Sequence, residues 1–116
     1  MSAVLINPIK LAWNEFAEVP AAVAVSASDG AVVTFGADQK MVVLATNTGS
    51  ATKTITAVAG DGVQATEDAV YTIPASGTVA IAVESGKFLL MKGENKGKVL
   101  FKGASADVKL QAIELP

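Results

Sequence analysis

The side chains able to do chemistry in this 116-residue chain are carboxylates, hydroxyls and lysine amines, because the sequence contains no cysteine, histidine or arginine. Disulfides, Cys- or His-based metal sites and His-dependent nucleophilic triads are thereby excluded. The densest carboxylate group, Asp61, Glu67 and Asp68, falls in one loop after Gly60. Calcium takes oxygen ligands of this kind, but the spacing matches no EF-type loop, and a solvated acidic loop is the simpler reading. Asp29, Asp38 and Glu94 lie in turns, where solvation is the ordinary explanation and no partner carboxylate is held close for acid–base work. Ser76 and Ser85 each precede a glycine with no base near in sequence, and Gly60-Asp61-Gly62 reads as a turn rather than half of a dinucleotide fingerprint. The sequence therefore reads as a non-enzyme without a cofactor or metal.

Charge narrows the partners. Nine lysines against eleven acidic residues give a net charge of −2, and the lysines are scattered. A nucleic-acid footprint would be a concentrated basic patch, so nucleic acid is not expected as a partner. Only residues 87–102 are locally basic, with Lys87, Lys92, Lys96, Lys98 and Lys102 against Glu94. Lysines so placed suit a solvated hairpin edge that resists pairing with another sheet. The N-terminus has no basic stretch ahead of a continuous apolar one, and no window reaches the ~20 apolar residues of a membrane span. The chain reads as soluble, without an export signal or a membrane partner.

The elements that carry these groups read as strands. Apolar residues make up 51% of the chain but include only four Phe, one Tyr and one Trp, so Val, Ile, Leu and Ala must build the core of what is one domain by length. Residues 41–60, MVVLATNTGSATKTITAVAG, read as a β-hairpin turning at Asn47, Gly49 and Ser50. Asp29-Gly30 gives a second hairpin signal between residues 21–26 and 31–35. Residues 78–83 alternate most cleanly, and further strands are expected at 70–73, 88–91, 99–101 and 108–115, with a glycine-bounded turn at 93–97. The inward positions are Val79, Ile81, Val83, Val99, Phe101, Val108 and Leu110. Many short strands separated by turn signals define an all-β, two-layer antiparallel sandwich, of either jelly-roll or immunoglobulin-like Greek-key connection.

Residues 1–20 differ from the sandwich expected at 21–116. They hold the only Trp and two of the four Pro. Asn7-Pro8 could cap a helix with Ile9, Trp13 and Phe16 on one face, but an extended arm is the preferred reading, since Ile9, Leu11 and Trp13 also share a strand face. Val4, Leu5, Ile6, Ile9, Leu11, Trp13 and Phe16 are more large apolar groups than a polar tail should carry, so something must cover them. They are the expected partner-binding residues, with Trp13 and Phe16 alternatively plugging an open end of the core.

Three stretches carry a family likeness: VVLATNTGSATKTITAVAGDG at 42–62, VYTIPASGTVAIAVESGKF at 70–88 and VKLQAIELP at 108–116. Together with INPIKLA at 6–12, they resemble small tailed-phage virion proteins encoded beside the major capsid protein. FGADQK at 35–40 and the bulky WNEF at 13–16 depart from that family's pattern. The resemblance implies a β-sandwich decoration, or cement, protein on the outer capsid surface of a virion, made in the host cytoplasm. Its partner would be the major capsid protein, with homo-oligomers possible on the capsid, and it would reinforce contacts between capsomers. A carbohydrate- or surface-binding module, or a head–tail or tail structural component, is the alternative.

Overall fold

A computed structural model of the chain describes residues 4–19, 21–25, 27–35, 40–61, 67–83, 85–105 and 107–116. Ten strands and one helical turn follow in order: β1 (Val4–Ile6), β2 (Ile9–Lys10), β3 (Val23–Ala24), β4 (Ala31–Thr34), β5 (Met41–Asn47), β6 (Lys53–Ala57), β7 (Ala69–Ile73), β8 (Thr78–Ile81), α1 (Ser85–Phe88), β9 (Lys98–Gly103) and β10 (Val108–Glu114). One sheet runs β1-β4-β9-β6-β7 and the other β2-β10-β5-β8, with β3 also paired to β10. The fold is an all-β sandwich.

Period-two sequence builds the interior. Along β5, Met41, Val43, Ala45 and Asn47 are buried while Val42, Leu44 and Thr46 are half-exposed. β9 buries Val99, Phe101 and Gly103, and β10 buries Val108, Leu110 and Ala112. Successive side chains of a strand point to opposite faces, so each strand contributes every second residue to the shared core. Ile55, Val33 and Phe101 from one sheet meet Val43, Leu110 and Ile81 from the other in a single cluster. Of the inward positions read from sequence, Ile81, Val83, Val99, Phe101, Val108 and Leu110 are buried, and Val79 packs half-buried against them.

Three local expectations are corrected. Residues 41–60 do not form a hairpin: β5 and β6 lie in different sheets, and the 47–53 segment crosses between them. The reason is Asn47, which falls on the inward phase of β5 and is wholly buried. Its Nδ2 donates to the carbonyls of Ala51 (2.8 Å), Ile73 (3.2 Å) and Pro74 (3.3 Å), and its Oδ1 accepts the N–H of Gly49 (2.9 Å). A buried amide needs such partners, and carbonyls gathered from two crossings supply them. The Asp29-Gly30 turn is likewise a crossing, from β3 in one sheet to β4 in the other. Gly30 there has φ +73°, and a Cβ would stand 2.4 Å from the Phe101 carbonyl oxygen. At 88–91, expected as a strand, Phe88 instead ends the helical turn α1 and is buried, while Leu89 bridges to Val99 and Leu90 pairs with Lys98 outside any named strand.

The sheets are mixed rather than purely antiparallel, and the N-terminal strands make them so. β1 pairs parallel with β4 and β2 parallel with β10, whereas the remaining pairings are antiparallel. Residues 4–10 are thus built into both sheets.

Candidate functional site

The N-terminal segment gives one strand to each sheet. Val4, Leu5 and Ile6 pair with Ala31, Val32 and Val33, and the Val4 N–H donates to the Gly30 carbonyl (3.2 Å). Asn7 and Pro8 then carry the chain across the edge of the sandwich, where the Thr34 hydroxyl donates to Asn7 Oδ1 (3.0 Å). Ile9 and Lys10 lie beside Ile113 and Glu114, and the Leu11 N–H donates to the Glu114 carbonyl (2.9 Å). Next, the chain reverses at residues 12–15, with Asn14 at φ 63° and the Glu15 N–H on the Ala12 carbonyl (3.3 Å). Asn tolerates that left-handed conformation better than most residues. It re-enters the fold at β3, where Val23 and Ala24 pair with Leu110 and Lys109.

This path separates the seven expected partner-binding residues. Ile6 belongs to the core at 6% exposure and is corrected to a structural residue, because parallel pairing with β4 turns it between the sheets. Ile9 and Leu11 are half-buried. Val4 and Leu5 are 45% and 50% exposed on β1, an edge strand whose outer side has no neighbour in its sheet among the described residues. Trp13 is 77% exposed and Phe16 fully so; they do not plug the core. Two neighbours went unread in the sequence. Val19 is exposed in the same loop, and Leu115 is exposed next to Glu114, where the Leu11 N–H docks. Leu115 is the first residue past the end of β10, which is the one signal that would have found it.

Away from this face, the large apolar groups exposed among the described residues are Val70 and Met91. Met91 begins the turn of a narrow ribbon in which Leu90 and Lys98 pair (2.9 Å) and the Gly97 N–H donates to the Leu90 carbonyl (2.8 Å). Lys92 and Lys96 are exposed on that turn with Glu94. Val70 borders a cleft of about 450 Å³ lined also by Glu67, Asp68, Tyr71 and Lys87.

Two of the three carboxylates that suggested calcium have local tasks. Asp61 accepts the Met91 N–H, and Asp68 accepts that of Ala59 (2.7 Å), so each ties its loop to a neighbouring segment. Among the described residues no three such groups come together in a metal-holding arrangement. Taken together, the fold and its surface define a β-sandwich with an apolar N-terminal edge that is exposed among the described residues. The chain matches no family model, no curated protein and no solved structure.

Proposed function

We propose that this protein is a structural component of a tailed-phage virion that decorates the outer capsid surface and reinforces contacts between capsomers. The sequence resemblance at 42–62, 70–88 and 108–116 motivates this reading. The observation that carries it is the outer side of β1, which no strand among the described residues pairs, with Val4 and Leu5 exposed along it. A free edge offers unpaired backbone N–H and C=O groups to an extended segment of the major capsid protein, and neighbouring apolar side chains give such a pairing its selectivity.

Mass spectrometry of purified particles tests it. The chain should be present at a copy number set by capsid symmetry, and Leu5→Glu should lower that occupancy while the free protein stays folded. Absence from particles would refute the reading; a few copies per particle would mark a head–tail or tail component. The exposed indole of Trp13 favours a second reading, a sugar-stacking module. That reading calls for retention on a polysaccharide matrix, lost in Trp13→Ala.

A further inference from the structure

The loop of residues 11–19 and the ribbon turn of residues 91–97 are complementary in two respects. The loop exposes Trp13, Phe16 and Val19, and its charged residues, Glu15 and Glu18, are both acidic and exposed. The ribbon turn exposes Met91 and carries Lys92 and Lys96 with half-buried Lys98 at its base, against Glu94 and the Asp61 carboxylate on the Met91 N–H, so lysines are in the majority there. Within one copy the two do not cover each other, since Trp13, Phe16 and Met91 are 77%, 106% and 50% exposed.

Both elements have defined shapes. The loop is pinned by Leu11 on Glu114 and by β3 on β10, and it is folded by the turn at Asn14. The ribbon turn is fixed by Gly93 at φ 81°, by Gly97 at φ 84° and by the Asp61 carboxylate on the Met91 N–H. Ordered elements lose less conformational freedom when they dock than a disordered tail would.

We propose that the loop of one copy docks on the ribbon turn of a second copy, a head-to-tail contact. Chemistry matches side by side: a lysine ammonium sits well over an indole face, a methionine thioether packs against a phenyl edge, and the two glutamates meet the lysines. Because the contact joins two different surfaces, it leaves one loop and one ribbon turn free at the ends of a pair, so it propagates into a closed ring or an open chain. It is independent of the capsid reading and leaves the free edge of β1 available.

Sedimentation equilibrium of the free, full-length protein at low and high salt tests this without any particle. Self-association is expected to strengthen with concentration and weaken as salt screens the charges. Combining Trp13→Ala with Phe16→Ala should weaken it by about thirtyfold or more, the effect of removing central aromatic contacts. E15K/E18K and K92E/K96E should each weaken it by about tenfold. Mixed one to one, these two charge-reversed proteins should co-assemble into alternating rings or chains, because the reversed loop of the first fits the reversed ribbon of the second and the native loop of the second fits the native ribbon of the first. A protein that stays monomeric up to about 1 mM at low salt overturns the proposal. So does association that ignores the substitutions, or a mixture that behaves as its separate components do.

Discussion

At the Asn47 crossing a polar side chain is wholly buried with its hydrogen-bonding groups matched, while at the turn of residues 12–15 an indole stands in water and Phe16 follows it, fully exposed. Both are chain reversals between strands of a sandwich. At the first, three connections converge. Asn47 holds carbonyls of the 47–53 and 73–78 segments, the Ser76 N–H donates to Gly49 (3.2 Å), and the Thr48 N–H donates to Asp107 (3.0 Å) in the connection from β9 to β10. At the second, backbone bonds among the described residues hold the loop, and its largest side chains are mostly exposed. The difference separates a place where internal bonding locks the two sheets together from one where apolar surface faces outward.

The contrast breaks most severely if the N-terminal segment is removed as a unit. If the extended arm expected at residues 1–20 were detachable, deleting residues 1–8 would leave an intact domain. The structure argues otherwise: Ile6 is in the core and β1 covers the edge of β4. Losing a buried Ile and stripping an edge strand should destabilise by on the order of 4 kcal/mol, read as a fall in the urea midpoint. An unchanged midpoint would return residues 4–8 to the class of detachable tails.

Asn47→Ala tests the other region. Three carbonyls would lose their donor and the Gly49 N–H its acceptor; the bond to Ile73 is buried and the other three are partly buried. Unmatched buried groups of this kind should cost about 3 kcal/mol in total, measured by chemical denaturation. A loss within a few tenths of 1 kcal/mol would mean that the crossings hold without the amide.

Much of this architecture was legible because alternation is a local property. Strands β5, β8, β9 and β10 announce themselves by residues two apart, and their inward positions follow at once. What alternation cannot say is whether the next strand joins the same sheet or the opposite one, since both put alternate side chains into one core. Asn-Thr-Gly therefore read as a hairpin turn at 47–49. The contrary clue was phase, because Asn47 shares its side of the strand with Met41, Val43 and Ala45. In the N-terminal segment, composition called for a cover over the apolar groups, but it could not divide them. Pairing with β4 decides that Ile6 turns inward and Leu5 does not. The exposure of Trp13 depends on the turn at Asn14, a conformation that the residue type permits without requiring.

The smallest effect on stability belongs to the residues with the largest expected effect on association. Trp13→Ala combined with Phe16→Ala removes two rings that stand 77% and 106% exposed, so neither substitution opens a cavity or leaves a buried group unpaired. Surface changes of that kind stay within about 0.5 kcal/mol of the parent, and the melting curve of the double variant should overlay that of the parent. Burying one such ring fully against a partner is worth about 1.5–3 kcal/mol, so the same variant should lose affinity in sedimentation while keeping its stability. If it instead melts early, the rings contribute to the fold despite their exposure, and the 11–19 loop becomes a part of the sandwich comparable to the Asn47 crossing.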